Sequence, residues 1–174
     1  AVPPGSAPNP ERPFGAILCA VDFSSVSEDA VSVAADLARR YGSALIVVHV
    51  VPWPFDETAT GRAAEEFRRN VESRAQEKLT RLVADEAAPP MDVSAVVLTG
   101  TPKDAILACA RERHADLIVL GVSGHGAIDR TLFGSTADGV VRRSECPVLA
   151  LRARGAATTD DAQTGPTDSS AAPG

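Results

Sequence analysis

The chain has no disulfide framework, no stretch long enough to span a membrane and no surplus of positive charge. Its cysteines, Cys19, Cys109 and Cys146, are widely spaced, two of them inside apolar runs, and no C-x-x-C occurs. Such thiols read as structural and point to a reducing compartment. No apolar run reaches the roughly 18 residues that suggest a spanning helix, and the first residues show neither a basic start nor an apolar core. The expected setting is cytoplasmic, with no membrane partner. The formal charge is −6, and Arg154 set against Asp160, Asp161 and Asp168 contributes −2 of it beyond residue 152. An acidic body argues against nucleic acid as the main partner.

Three familiar signatures are missing from the stretch where they would be sought, GVSGHGAIDRTLFGS, from Gly121 to Ser135. No lysine precedes Ser135, which excludes the phosphate loop G-x4-G-K-[ST]. Gly124-His125-Gly126 has Asp129 where the dinucleotide pattern G-x-G-x-x-G needs its third glycine. The glycine after Ser123 comes one residue too early for the hydrolase elbow G-x-S-x-G. What remains is the spacing G-x2-G-x9-G-S, between the apolar block Leu117–Leu120 and an amphipathic stretch from Thr136 to Arg143. That is strand, glycine loop, helix. Glycine admits a positive φ or close approach of backbone to ligand, and the first amides of a helix are unpaired donors, so a phosphate cradle is one reading. A ligand-free turn is the other.

At 174 residues with 44% apolar content, the chain suits one domain with a sizeable core. Residues 1–13, with five prolines, and residues 153–174, rich in Ala, Thr, Asp and Ser, read as disordered extensions of a folded body over 14–152. Ala16 to Val21 and Leu45 to Val51 are continuous apolar runs, the mark of strands buried on both faces. Between them Ser25-x-x-Glu28 suggests a capping box, and Ala30, Val33, Ala34, Leu37, Ala38 and Tyr41 mark one apolar helical face that Gly42 ends. Trp53 and Phe55 fall in a proline-bounded loop, packing it down or covering a pocket. Phe67, Val71, Ala75, Leu79, Leu82 and Val83 predict a helix of about five turns with a solvated charged face. Val93 to Leu98 is a third strand, and Thr101-Pro102 opens a helix facing inward through Ile106, Leu107 and Ala110. Leu117 to Leu120 is the fourth strand, Ser135-x-x-Asp138 caps the last helix, and Pro147 to Leu151 is the fifth strand. The alternation predicts an α/β fold, a single open doubly wound parallel sheet of five strands whose ligands lie beyond the strands' carboxyl ends.

The glycine spacing, the helix after it, Cys146-Pro147-Val148-Leu149, and the strand end Ala20-Val21-Asp22-Phe23-Ser24 together resemble the ATP-binding branch of the universal stress protein family over roughly residues 14–152. The resemblance implies a Rossmann-like sheet of order 3-2-1-4-5, of the adenine nucleotide alpha hydrolase-like type. It also implies ATP, with Mg2+, as the bound cofactor. Gly121 and Gly124 would turn over the ribose and first phosphates, with His125 and Gly126 beside them in the binding loop; His125 reads as touching phosphate, helping proton transfer or facing solvent. Gly134, Ser135 and Thr136 would offer amides and hydroxyls to the outer phosphates. Ala20, Val21 and Asp22 would meet the ribose, base or metal, and the Val50 backbone would read the adenine edge. Asp22 also reads as an N-cap, and the two roles are compatible. His49 and His114 read as structural. Ser123 departs from the family, many of whose nucleotide-binding members carry a basic residue there.

The resemblance further implies a homodimer through Val148, Leu149, Ala150 and Leu151, an edge strand pairing antiparallel with its copy. The leading functional expectation is a nucleotide-sensing regulatory module for stress response. No arrangement for activating water is visible, so hydrolysis would be slow at most. The alternative is a nucleotide-free dimerisation and protein-interaction module on the same fold. An adenylating enzyme is the third reading, disfavoured because Asp22-Phe23-Ser24 stands where such enzymes carry an S-G-G-x-D-S loop.

Overall fold

The computed structural model describes residues 13–52, 61–86, 91–122 and 134–152. Strand and helix alternate throughout: β1 (Ala16–Val21), α1 (Ser25–Tyr41), β2 (Ala44–Val51), α2 (Arg62–Glu86), β3 (Val93–Thr99), α3 (Pro102–Glu112), β4 (Leu117–Val122), α4 (Ser135–Arg143) and β5 (Val148–Arg152). All neighbouring strands run parallel, in the order β3-β2-β1-β4-β5. The expected fold class and strand order are therefore both present. The continuous apolar runs are the three middle strands, which need cover on both faces. Their alternate residues feed two cores. Ile17, Cys19 and Val21 pack with α1 and α2, through Ala30, Ala34, Leu79 and Val83. Leu18 and Ala20 pack with α3 and α4, through Ile106, Leu107, Ala137 and Val140. Ile118 and Leu79, both fully buried, each contribute about 1.5–3 kcal/mol by leaving water. Burial pushes the Cys19 thiol up to about 12, in keeping with a structural thiol.

Several local expectations move. The N-cap of α1 is Ser24, not Ser25: the Ser24 side chain accepts from the Ser27 amide, and the Glu28 amide bonds the Ser24 carbonyl. Gly42 ends the helix in the left-handed region, φ 64, as expected. The buried face of α1 is shifted from the expected stripe: Val26, Ser27, Val31 and Ala35 join Ala30, Ala34 and Ala38, while Val33, Leu37 and Tyr41 are only half-buried, because α1 packs against both β1 and β4. The second helix has 25 residues, longer than five turns, and buries only Ala75, Leu79 and Val83. Phe67 is 63% exposed, so the apolar stripe serves the second half of α2 alone. Its charged face is solvated, with Arg68 paired to Glu65 at 2.9 Å.

Thr101 and Pro102 open α3 as expected, although the Thr101 hydroxyl makes no capping bond. The N-cap of α4 is Gly134. Ser135 is already helical, and the Asp138 carboxylate turns to Arg142 Nε at 2.8 and 2.9 Å, so no Ser135–Asp138 box forms. The fifth strand starts at Val148, with the Pro147 carbonyl accepting from the Ile118 amide. Expectations for residues 1–12, for Trp53 and Phe55 and for residues 153–174 lie outside the described residues.

Candidate functional site

The chain leaves β1 towards β2 on one side and later returns to place β4 on the other, so strand order reverses between β1 and β4. Beyond the carboxyl ends of such strands the connections part and leave a crevice. There the structure holds a cavity of about 350 Å³. Of the residues singled out in the sequence, Ala20, Val21, Asp22, Val50, Gly121 and Thr136 line it. Gly134 and Ser135 are not in the lining; they stand at the start of α4 just before Thr136. Gly124, His125 and Gly126 lie outside the described residues.

Asp22 sits at the first residue past β1 and is exposed. Its Oδ1 accepts from the Ser24 hydroxyl at 2.5 Å and the Ser24 amide at 3.0 Å. Its own amide donates to the Ser27 hydroxyl at 3.3 Å. Partial desolvation raises the Asp22 pKa, but the hydrogen bonds from the Ser24 hydroxyl and amide, with those involving Ser27, outweigh it and hold the carboxyl below its ordinary value. Asp22 is therefore not the N-cap, as one sequence reading had it; it braces Ser24, which is. Between them Phe23 has φ 64, a left-handed conformation uncommon for an aromatic residue. Its ring lies against the His49 imidazole, centroids 4.3 Å apart and tilted by 36°, and the Lys78 ammonium lies 4.3 Å from the centre of the same ring. His49 in turn approaches the Val21 carbonyl with Nδ1 at 2.9 Å, as a donor.

Gly121 departs from its expected role as a loop glycine. It belongs to β4, in register with Leu151, and a side chain there would stand 2.6 Å from the Ser27 Cα and N and 2.7 Å from the Val26 carbonyl carbon. Packing of β4 onto the first turn of α1 demands a glycine at this position. Gly134 is the contrary case: its φ is −57, open to any residue, and among the described residues nothing lies within 4 Å of where its side chain would be. Past it, the first amides of α4 have no partners within the helix, and the dipole there favours an anion.

Sequence reasoning missed Ser27, Val48, Pro52, Pro102, Ile106, Leu120 and Ala137 as lining residues, and took His49 as structural only. The parity of β2 carried part of the signal, since Val48 shares a face with Val50. Pro102 and Ile106 carried none, because their approach depends on where α3 lands on the sheet. A larger cavity, about 540 Å³, lies at the amino ends of β4 and β5 beside Asp116 and Pro147. Its position opposite the crevice sets it apart from the nucleotide question.

The model of the universal stress protein family matches residues 13–152. The chain belongs to that family. It is 36% identical over 139 residues to the protein described as "Universal stress protein in QAH/OAS sulfhydrylase 3'region" of Thermus aquaticus, covering 80% of this chain and 99% of the relative. Among solved structures it is similar to a universal stress protein in complex with cAMP, at 26% identity and TM-score 0.59 over 80% of this chain and 97% of the other. A universal stress protein from Archaeoglobus fulgidus in complex with dAMP matches at 25% identity and TM-score 0.53, over 79% and 97%. Nucleotide binding is thus a property of solved members of the family that this chain joins. Among the described residues no helix is long and apolar enough to cross a membrane.

Proposed function

We propose that this chain is an ATP-binding universal stress protein, a nucleotide-sensing module in stress response whose hydrolysis of ATP is slow at most. The observation that carries the reading is the cavity at the sheet's reversal point. It has a braced carboxylate, Asp22, at one place and the start of α4, through Thr136, at another. Apolar Val48, Val50 and Ile106 suit an adenine ring, and Asp22 suits the hydroxyls of a ribose. Gly134, Ser135 and Thr136 suit phosphates; the sequence motif adds Gly124, His125 and Gly126, which lie outside the described residues.

Among the described residues no group of three or more side chains could hold a metal ion. Mg2+ commonly needs only one or two carboxylates when substrate phosphates complete its shell, so Asp22 fits as its protein ligand. Bound there, Mg2+ would offset phosphate charge close to an ionised carboxylate. Slow turnover follows from the described lining: Asp22 is engaged by Ser24, and His49 is held by the Val21 carbonyl and the Phe23 ring. The direct experiment denatures purified protein and identifies any released nucleotide by absorbance and mass, alongside calorimetry with ATP. Released ATP or ADP, or a measured ATP affinity, supports the reading; a nucleotide-free protein that also ignores added ATP overturns it.

Gly121 favours a second reading, a nucleotide-free interaction module, because packing alone accounts for that glycine. Both readings include a homodimer. The fifth strand is an edge, and Val148, Leu149, Ala150 and Leu151 are half-buried along it. An apolar edge with free backbone groups is a liability unless something pairs with it, and a second copy related by a two-fold axis would do so. Leu149→Asp or Leu151→Asp should then shift the protein towards monomer or aggregate in light scattering. A parent that is monomeric at micromolar concentration defeats the dimer.

A further inference from the structure

Ser27 was no part of the sequence motif, yet it is the point where both halves of the site meet. It is 1% exposed, one of two buried polar residues among those described. Its hydroxyl donates to the Ser24 carbonyl at 2.9 Å and accepts from the Asp22 amide at 3.3 Å. Its own amide donates to the Ser24 hydroxyl, which in turn donates to Asp22 Oδ1. On its other side, its backbone is what a side chain at Gly121 would strike.

We propose that Ser27 is the positioning residue of the nucleotide site, the group that sets the direction of the Asp22 carboxylate against the end of β4. The argument concerns the link between Asp22 and Ser24. That link passes through Phe23 at φ 64, a conformation a phenylalanine adopts only when its surroundings impose it. The Phe23 ring lies against His49 and carries the Lys78 ammonium over it, which fixes the side chain but not the backbone. The Ser27 hydroxyl brackets the whole link, accepting from the Asp22 amide at its start and donating to the Ser24 carbonyl at its end. A neutral hydroxyl can do this because it donates and accepts at once. The deep setting of Ser27 in α1, against the backbone of β4, makes the clamp rigid.

The proposal rests on the nucleotide reading for its effect on affinity, and on the structure alone for its effect on Asp22. Ser27→Ala and Ser27→Cys are therefore compared with the parent in two measurements. Alanine removes the hydroxyl, and cysteine fills its space with a weak hydrogen-bonding group. Calorimetry with ATP should show affinity about fivefold weaker in each, the loss of one neutral hydrogen bond, with little further loss when Ser27→Ala is added to Asp22→Asn. Amide hydrogen exchange in nucleotide-free protein should show the Ser24 amide, whose acceptor is the Asp22 carboxylate, losing protection in both variants while the amides of β1 keep theirs. A residue with a purely structural role would lower the melting temperature and leave the Ser24 amide as protected, relative to β1, as in the parent, and that result overturns the proposal. Should the parent bind no ATP, the nucleotide reading falls and the Ser24 amide alone decides the role of Ser27.

Discussion

Gly121 lies within β4, where the backbone of α1 occupies the space of any side chain, whereas Gly134 opens α4 with nothing among the described residues within 4 Å of the same position. Both belong to one spaced pattern. The first is required by the fold whether or not a ligand binds, because a methyl group at 2.6 Å from backbone atoms cannot be relieved by rotating a side chain. The second is required by neither backbone conformation nor packing among the described residues. A spaced glycine motif thus combines two physical demands, close packing of a strand on a helix and clearance in front of a helix start.

The widest separation between the two should come from valine at each. Gly121→Val is expected to cost about 3 kcal/mol of stability or more, since strand and helix must move apart, and denaturant unfolding measures it. Gly134→Val is expected to unfold at the parent's denaturant midpoint while losing about a hundredfold in ATP affinity, about 2.7 kcal/mol, by calorimetry. Reversal of the pair, with Gly121→Val stable or Gly134→Val binding normally, would break the comparison.

Asp22 tests whether one residue can belong to both demands. Asp22→Ala should weaken ATP binding by about 1.5–3 kcal/mol through loss of a charge-assisted hydrogen bond. It should also lower stability modestly, because Ser24 loses the acceptor that braces it as the α1 cap. Unchanged affinity with lower stability would leave Asp22 on the structural side with Gly121.

The smallest effect is in pH dependence. The folded-state pKa of Asp22 is lowered, so its contribution is present above the unfolded-chain value of about 3.9 and is lost as pH falls through the lower folded value. The stability gap between the parent and Asp22→Ala should therefore narrow on acidification. A gap that stayed constant from neutral to acid pH would mean that the ionised form has no special place in the corner.

Much of the architecture was legible because it depends on local pattern. Continuous apolar runs identified β1 and β2 as buried strands, the apolar block Leu117–Leu120 marked β4, and the alternation with amphipathic stretches predicted the parallel doubly wound sheet that is present. Gly42 could be read as the end of α1 from its place after the last apolar residue. The caps of α1 and α4 were each misplaced by one residue, since a run such as Ser24-Ser25 or Gly134-Ser135 offers two starts and only the backbone geometry chooses between them. Phe67 fitted the helical stripe of α2, yet it is exposed, because periodicity marks a face without saying how far along the helix the sheet extends.

The sequence by itself determined the fold class, the family and the neighbourhood of the candidate site, since strand burial, helix periodicity, the glycine spacing and the ends of β1 and β4 are written in residues close together in the chain. Only the tertiary structure decided which of those residues meet. It moved Gly121 from a loop into a strand packed on α1, brought Pro102 and Ile106 to the cavity from a helix far along the chain, and made Ser27 the joint between Asp22 and Gly121. The reason is one of range: a hydrogen-bonding period is written in neighbouring residues, whereas close approach of one backbone to another depends on how every element between them has packed.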